Sequence, residues 1–232
     1  MQATAPFVPP TDLEPYVTAD GSVSLRSAAL QEGYHSVHGA LQESRHVFIR
    51  HGLHAVAADP LRILEVGLGS GLNLLLTLAD EAVPDRTVHY VGLEPFPPPI
   101  ALVRALDHPA AVGRPDLRAA FERMMDAAAG DRHQPRPGFT MERRAAAVLD
   151  LQEQATYHLV YFDAFGPRTQ PAMWTAAVFD VLYRAMVPGG VLVTYCAKGD
   201  VRRTLVGCGF HVDRPPGPAG KREMLRARKP IP

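Results

Sequence analysis

From Arg62 onward, short apolar runs alternate with stretches of helical periodicity. This alternation predicts an α/β fold in which helices cover both faces of a mostly parallel sheet. The predicted strands are residues 62–66, 87–94, 158–165, 190–196, 209–213 and 222–227, with a weaker strand near 139–143. The predicted helices are residues 71–82, 98–106, 116–129, 173–186 and 200–206. Such a sheet binds its ligand beyond the carboxyl ends of the strands, where the strand order reverses.

The residues before this region follow a different pattern. The segment VTADGSVSL alternates polar and apolar positions around Asp20-Gly21, which is a strong signal for a β-hairpin. A helical period begins near Ser44, the expected N-cap, and its apolar face is formed by Val47, Phe48, Leu53 and Val56. We therefore expect one compact unit, with an amino-terminal extension (1–58) packed on a core domain (59–232).

Composition narrows the class of protein. The chain has 232 residues, of which 47% are hydrophobic and 21% charged. A chain of this length buries roughly 70% of its unfolded surface, which excludes disorder and coiled coil. Residues 1–15 lack the pattern of a signal peptide, and no apolar run approaches the roughly 20 residues of a spanning helix, so a soluble, cytoplasmic protein is expected. Cys196 and Cys208 are expected to be reduced thiols.

Charge is balanced overall but uneven along the chain. The chain has 24 basic and 24 acidic side chains. Between Cys196 and the carboxyl terminus, however, nine residues are basic and only three are acidic. This local excess is compatible with a docking face for a polyanion and equally with an ordinary solvated surface.

The run EVGLGSGLN (65–73) joins the first strand of the α/β region to its first helix. Gly67, Gly69 and Gly71 allow a tight turn and the close approach of a ligand, and the helix amino terminus adds free N–H donors. The third glycine follows the second by two positions rather than three, so the spacing differs from a dinucleotide fingerprint. It is typical of sites for S-adenosyl-L-methionine (SAM). Glu65 is then expected to orient the methionine amino group, directly or through water, unless it is simply a charge at a strand end.

Two further acids follow predicted strands or apolar runs. Glu94 ends the second strand, where a carboxylate accepts hydrogen bonds from both hydroxyls of a ribose and repels a phosphorylated one. Asp150 follows the run AAAVL, where it would meet the adenine amino group or lie in a surface loop.

The fourth strand leads into YFDAFGPRTQPAMW (161–174). This order holds the Asp163 carboxylate and the Phe165 ring on a turn stiffened by Pro167, at the ligand end of the sheet. Asp163 is expected to orient an acceptor amine by accepting its hydrogen bond, with a secondary role as general base. Phe165 would cradle a base or the developing methyl cation. The alternative is an aspartate that only caps the turn.

Two histidine pairs, His35 with His38 and His51 with His54, have helical spacing. Neither pair is accompanied by a cysteine or a suitable carboxylate, so we expect exposed helix histidines rather than a zinc site.

Taken together, these features resemble the tRNA methyltransferase family MnmD, which corresponds to the amino-terminal domain of the bifunctional tRNA modification protein MnmC. The resemblance rests on DGS (20–22), YHSVHGALQESRHVFI (34–49), ILEVGLGSGLN (63–73), FDAFGPRTQPAMW (162–174), PGGVLVTYCAKGDVRR (188–203) and PGPAGKREMLRA (216–227). The glycine turn alone is common to SAM-dependent enzymes. The segments at 34–44, YCAKG and PGP-x-GKREM are much narrower.

The resemblance implies a class I SAM-dependent methyltransferase fold, Rossmann-like, with a seven-stranded, mostly parallel sheet and an amino-terminal extension. It implies transfer of a methyl group to the primary amine of 5-aminomethyl-(2-thio)uridine at the wobble position of tRNA. SAM is the implied cofactor, without FAD or a metal, and the tRNA anticodon loop is the implied partner, with no membrane involved. Nothing in the chain corresponds to the FAD-dependent oxidase of the bifunctional proteins, so a stand-alone methyltransferase is expected.

The resemblance also implies roles for individual residues. Those expected to bind cofactor are Glu65, Gly67, Gly69, Gly71, Asn73, Glu94 and Asp150, with Tyr34, His35 and Ser36 closing over its methionine end. Asp163 and Phe165 would face the target base. The candidates for contact with substrate or tRNA are Trp174, Lys198, Arg202, Lys221 and Arg222. Two alternatives stay open: an N-methyl- or aminopropyl-transferase acting on a small amine, and a binding module without catalysis.

Overall fold

A small antiparallel sheet opens the computed structural model, which describes residues 7–232. Strands β1 (Leu13–Val17) and β2 (Val23–Ser27) form the predicted hairpin, and β3 (Glu32–Gly33) pairs with the other edge of β2. The hairpin prediction at Asp20-Gly21 is thereby confirmed. Residues 1–6 of the predicted extension lie outside the described part of the chain.

The helix of the extension begins earlier than its hydrophobic period predicts. Helix α1 (Ala40–Ser44) continues as a π-helical segment (Arg45–Arg50) and a 3-10 turn (Leu53–Ala55). Ser44 therefore lies inside the helix, and its prediction as the N-cap is wrong. The hairpin supplies the caps instead, because Asp20 Oδ2 accepts a hydrogen bond from Gln42 N at 2.9 Å and Thr18 Oγ1 accepts one from Ala40 N at 3.3 Å.

The central sheet has eight strands. They are β4 (Leu61–Val66), β5 (Val88–Leu93), β6 (Arg132–Arg136), β7 (Phe139–Arg144), β8 (Tyr157–Phe162), β9 (Met186–Thr194), β10 (His211–Asp213) and β11 (Leu225–Arg228). Their order is β10-β11-β9-β8-β4-β5-β7-β6. The five strands from β9 to β7 run parallel, whereas β11 and β6 are antiparallel to their neighbours.

The α/β class is as predicted, but the sheet has one strand more than the seven implied by the resemblance. The additional strand, β6, lies at the sheet edge and has the sequence RHQPR. A proline is tolerated at an edge because its missing N–H breaks no central ladder, and so polar a run gives no strand pattern. The weaker strand expected near 139–143 is confirmed as β7.

Six α-helices complete the core domain, and they cover both faces of the sheet. They are α2 (Leu72–Ala79), α3 (Ile100–Ala105), α4 (His108–Val112), α5 (Arg118–Asp126), α6 (Ala176–Ala185) and α7 (Gly199–Gly207). All but α4 fall within or close to predicted helices. None of the helices in residues 7–232 has both the length and the apolar character that crossing a membrane requires.

Side chains of β4 alternate between two hydrophobic clusters. Leu61 and Ile63 pack with α2, α5 and the extension helix, whereas Leu64 and Val66 pack with α6 and α7. Because Phe48 of the extension belongs to the same cluster as Ile63, the extension shares the core of the sheet. A boundary at residues 58 and 59 stays a prediction.

Candidate active site

A cavity of about 440 Å³ opens at the carboxyl ends of β4, β5 and β8. The chain turns from one side of β4 to the other between β5 and β8, so this is the point where the strand order reverses. The walls come from the glycine turn, from the segments that follow β5, β7 and β8, and from residues 31–36 of the extension.

Two of the three glycines line the cavity. Gly67 has a φ of +86°, and a Cβ at this position would approach the carbonyl oxygen of Asp163 to 2.7 Å. A Cβ on Gly69 would meet the ring of Tyr34 at 3.2 Å. Gly71 does not line the cavity, and its contact with cofactor stays a prediction. A Cβ there would lie 2.5 Å from the sulfur of Met125, so this glycine permits packing of α2 against α5.

Glu94 follows β5 and presents a fixed carboxylate to the cavity. Its Oε2 accepts a hydrogen bond from Gly69 N at 2.9 Å, and its Oε1 accepts one from Phe96 N at 3.0 Å. Burial raises the pKa of this carboxyl above its ordinary value. Each oxygen keeps a second lone pair, so the group can accept further hydrogen bonds from a pair of hydroxyls.

Glu65 lies within β4 and is fully buried. Tyr90 OH donates a hydrogen bond to its Oε2 at 2.6 Å, and Asn73 Nδ2 donates one to its Oε1 at 2.9 Å. Burial raises the pKa of Glu65 well above its ordinary value. Glu65 is absent from the cavity wall, and its contact with a methionine amino group, directly or through water, stays a prediction. Its contact is with the side chain of Asn73.

Asn73 connects Glu65 to the residue with the strongest claim to a chemical role. Its Nδ2 carries two hydrogens and also donates to Asp163 Oδ2 at 2.9 Å. Asp163 follows β8, its N–H bonds to Val66 O at 2.9 Å, and its side chain faces the cavity. Burial raises the pKa of Asp163 from 3.8 to about 7, helped by the nearby charge of Glu43 and opposed by the Asn73 hydrogen bond. The carboxyl can therefore gain or lose a proton near neutral pH.

Aromatic rings form the rim of the cavity beside Asp163. Phe165 lines it as predicted, and the ring of Tyr34 meets it edge to face at a centroid distance of 5.2 Å. Phe7 lies 6.0 Å from Phe165 and 6.1 Å from Phe96, so it bridges the segments that follow β8 and β5. A planar ring entering the cavity would find aromatic faces available for stacking.

Trp174, predicted to contact substrate or tRNA, packs against the loop that follows β8 on the side away from the cavity. It is buried outside the cavity, its Nε1 donates to Phe165 O at 2.8 Å, and its ring lies 5.0 Å from that of Phe162. The sequence placed Trp174 in the right loop but could not show which side of the loop it occupies.

Tyr34, His35 and Ser36 line the cavity, and their closing over the methionine end of the cofactor stays a prediction. His35 lies outside any helix and its Nδ1 is 2.8 Å from Ser24 Oγ, so the prediction that it is an exposed helix histidine is wrong. Burial lowers the pKa of His35 to about 4, which keeps its ring neutral. Among residues 7–232, no group of three or more His, Cys, Asp and Glu side chains is placed to hold a metal ion.

Lys221, predicted to contact substrate or tRNA, lines both the cavity and a second hollow beside it, and its contact with tRNA stays a prediction. Its Nζ donates to Glu43 Oε1 and lies 4.2 Å from the centroid of the Tyr195 ring. Glu43 and Tyr195 also line the cavity, and residue-by-residue reasoning from the sequence missed both. They fall in the segments ending in ES and beginning with YC that make the resemblance narrow, which was the available signal.

The remaining basic candidates lie nearer the surface. Lys198 and Arg222 line a second hollow beside the cavity, together with Arg168, whereas Arg202 on α7 does not line it. Elsewhere in the basic stretch, ion pairs join Arg203 to Asp200, Arg214 to Glu223 and Arg226 to Asp213. Arg222 also pairs with Glu223 at 3.4 Å, so the uneven charge is partly neutralised at the second hollow as well.

Asp150 lies outside the cavity. It is exposed, and its Oδ2 accepts a hydrogen bond from Ala147 N at 3.3 Å within a 3-10 turn (Val148–Asp150). Asp150 lines a neighbouring hollow together with Leu93 and Ala146, which also line the cavity, so its predicted contact with adenine stays a prediction. The neighbouring side chain of Val148 does line the cavity.

Comparison with known proteins agrees with the fold and with the resemblance. A family described as S-adenosyl-L-methionine-dependent methyltransferase matches residues 141–230. The tRNA 5-methylaminomethyl-2-thiouridine biosynthesis bifunctional protein MnmC of Ectopseudomonas mendocina is 32% identical over 213 residues, which are 83% of this chain and 31% of that protein. The chain thus spans about a third of the length of the curated relatives it matches.

Among solved structures, MNMC2 from Aquifex aeolicus is similar with a TM-score of 0.73 and 26% identity, covering 95% of this chain and 72% of that one. Spermidine synthase from Thermotoga maritima is similar with a TM-score of 0.58 and 15% identity, covering 95% and 70%. The second likeness shows a shared fold alone. Together with the family match, these findings confirm the class I SAM-dependent methyltransferase fold.

Proposed function

We propose that the chain, an MnmC-related SAM-dependent methyltransferase by sequence and by fold, methylates the primary amine of 5-aminomethyl-(2-thio)uridine at the wobble position of tRNA. The observation that carries the proposal is the Asp163 carboxylate, which Asn73 holds in the same cavity as Glu94. A cytoplasmic location, docking through the anticodon loop, and catalysis without FAD or a metal are parts of the same proposal.

The cavity fits SAM in three respects. Glu94 offers two fixed carboxylate oxygens to ribose hydroxyls, and Gly67 and Gly69 leave a backbone surface free of side chains beside it. The side chains of Leu93, Phe96 and Val148 supply apolar walls for an adenine ring. Buried Asn73 Oδ1 has no hydrogen-bond partner among the described residues, which suits it to receive the donors of a methionine ammonium group.

The residues at the end of β8 suit an amine acceptor. When bound, SAM supplies an electrophilic methyl group, so the amine lone pair forms the N–C bond while the C–S bond breaks with its electrons left on sulfur. An alkylammonium with a pKa near 10 must first lose a proton, which costs about 4 kcal/mol at pH 7. Asp163, whose pKa is about 7, is placed to accept the hydrogen bond of the amine and to take this proton.

The surroundings of Asp163 suit a base presented by an RNA loop. A wobble base lies in a single strand, so it can leave the stack at little cost and enter a pocket. The rings of Phe165 and Tyr34 offer it a stacking surface. Arg168, Lys198 and Arg222 in the second hollow would contact the phosphates on either side of the base.

Mass analysis of wobble nucleosides tests the proposal. Defined tRNA, either unmodified or carrying the 5-aminomethyl group, is incubated with the protein and SAM. We expect one added methyl group on the wobble nucleoside of the aminomethyl tRNA and none on the unmodified tRNA. Equal trace labelling of both tRNAs would contradict the assignment. Labelling of free polyamines without labelling of tRNA would favour the alternative, an N-methyl- or aminopropyl-transferase acting on a small amine.

A further inference from the structure

The ion pair between Glu43 and Lys221 joins two distant and distinctive segments of the chain. Glu43 belongs to the segment 34–44 and Lys221 to the loop PGPAGK (216–221). The loop is fixed to the extension helix, because Ala219 N donates a hydrogen bond to Gln42 Oε1 at 3.3 Å. Both charged side chains line the same cavity as Asp163.

Both members of the pair are held in place. The Glu43 side chain is only 6% exposed, and its Oε2 accepts a hydrogen bond from Ser36 N at 2.8 Å. The Lys221 ammonium lies over the Tyr195 ring, and Tyr195 OH donates to Ala164 O at 2.9 Å. The Lys221 side chain is 31% exposed, and a partly buried ion pair contributes little net stability compared with apolar packing, so stability alone gives no reason for the pair.

Topology places the pair on the acceptor side of the cavity. Glu94 follows β5, Asp163 follows β8, and Lys221 precedes β11, which lies beyond β9. Asp163 therefore comes between Glu94, where the ribose is proposed to bind, and Lys221. A base whose amine reaches Asp163 from this side has its remaining edge directed toward Glu43 and Lys221.

The unused hydrogen-bond donors of Lys221 and acceptors of Glu43 match one edge of uracil. Glu43 is the one acceptor that contacts Lys221 Nζ among residues 7–232, which leaves two of the three ammonium hydrogens available. Each Glu43 oxygen has one protein partner and keeps a second lone pair. The pair thus presents a donor beside an acceptor, and uracil presents the complementary O4 acceptor beside the N3–H donor. Cytosine presents the opposite order, with an N4 donor beside an N3 acceptor.

We infer that Glu43 and Lys221 form the base-reading pair of the acceptor pocket, in which Lys221 Nζ donates to uracil O4 and Glu43 accepts from N3–H. The inference rests on the proposed function and deepens it by naming the groups that select uracil over cytosine. Position 2 of the ring lies on the far side of N3 from O4. The pair therefore admits oxygen or sulfur at position 2 alike.

The test compares two anticodon stem-loop RNAs that differ only in the wobble base, which is 5-aminomethyluridine or 5-aminomethylcytidine. The kcat/KM of each RNA is measured with the wild-type protein, with Glu43→Gln, with Lys221→Gln and with the double variant. Binding of the same RNAs to protein saturated with S-adenosylhomocysteine gives the base preference without turnover. Arg214→Gln removes a positive charge from the same region at an exposed residue outside the cavity and is the matched control.

We expect the wild-type protein and Arg214→Gln to prefer the uridine RNA by about 10- to 100-fold, and each cavity variant to lower that preference to a few-fold. Equal use of both RNAs by the wild-type protein would overturn base reading while leaving the proposed function intact. A wild-type preference in the variants, or loss of methylation of both RNAs with their binding preference unchanged, would also overturn it. Methylation of neither RNA by the wild-type protein would remove the proposed function and this inference together. The double variant keeps a neutral hydrogen-bonded pair, so the ratio remains measurable if a single variant folds poorly.

Discussion

Asp163 is the residue at which burial has the clearest chemical consequence. A carboxyl in water is ionised throughout the neutral range, whereas burial raises the pKa of Asp163 to about 7. Asn73 restrains the effect by donating to Oδ2, and the same amide also contacts Glu65. Glu65 and Asp163 are therefore joined through one amide group, that of Asn73.

The raised pKa of Asp163 predicts a pH dependence for methyl transfer. Below pH 7 the carboxyl is mostly protonated and cannot take a proton, so the single-turnover rate should rise with pH and level off above about pH 7. We expect Asp163→Asn to lose roughly 10²- to 10⁴-fold in this rate and to lose the inflection near pH 7. The measurement is a pH profile of the single-turnover rate for both proteins. The role as a base is refuted if Asp163→Asn keeps the wild-type profile.

Glu94 is expected to govern cofactor affinity without affecting RNA affinity. Glu94→Gln weakens the charge-assisted hydrogen bonds to a ribose, so SAM affinity measured by calorimetry should fall about tenfold or more. Glu14→Gln is the matched control, because this carboxylate is exposed on β1 and lies outside the cavity. Equal losses in the two variants would disagree with the position assigned to the ribose.

At the scale of elements, the extension helix depends on the hairpin before it. Asp20 accepts hydrogen bonds from Gln42 N and from Ser22 N, and it also contacts the Thr18 hydroxyl. The DGS segment therefore caps the helix that carries Glu43. The DGS segment thus both forms the hairpin turn and binds the start of the following helix.

Removing this cap should destabilise the protein. We expect Asp20→Ala to lower the free energy of unfolding by about 1 to 2 kcal/mol, measured by urea denaturation. Glu14→Ala removes a carboxylate from the same hairpin, where the ion pair with Arg26 is exposed and 3.7 Å long, and should cost less than about 1 kcal/mol. Similar costs for the two changes would show that the cap contributes little.

At the scale of the whole molecule, cationic side chains line a second hollow beside the end of the cavity that contains Lys221. The net charge of the chain is zero, so the proposed RNA binding would have to come from local charge. In the proposal, Lys198, Arg168 and Arg222 provide this charge around the second hollow.

Salt dependence of tRNA binding tests this arrangement. The slope of log affinity against log salt should become less steep by about 0.7 for each phosphate contact that is removed in a single strand. Lys198→Gln and Arg222→Gln are expected to show this change in a fluorescence anisotropy titration. Arg132→Gln, on β6 at the far edge of the sheet, should keep the wild-type slope. If only Arg132→Gln made the slope less steep, the RNA would bind at the β6 edge of the sheet and not at the second hollow.

The sequence predicted the positions of the central strands better than it predicted the edge strand and the helix cap. Strands β4, β5, β8 and β9 lie where the apolar runs indicated, because a buried strand of a parallel sheet must be apolar on both faces. Strand β6 escaped detection because an edge strand needs no such pattern. The helix cap at Ser44 was wrong because the groups that cap the helix belong to the preceding hairpin.

What the sequence by itself determined is where chemistry-bearing residues follow strands: the glycine turn after β4, Glu94 after β5 and Asp163 after β8. Parallel strands end at one edge of the sheet, so local pattern suffices to bring these groups together. Only the tertiary structure decided which side chains face the cavity. Glu65 and Glu43 are buried, and a buried carboxyl group needs a hydrogen-bond partner, which the fold supplies as Asn73 for Glu65 and as Lys221 for Glu43.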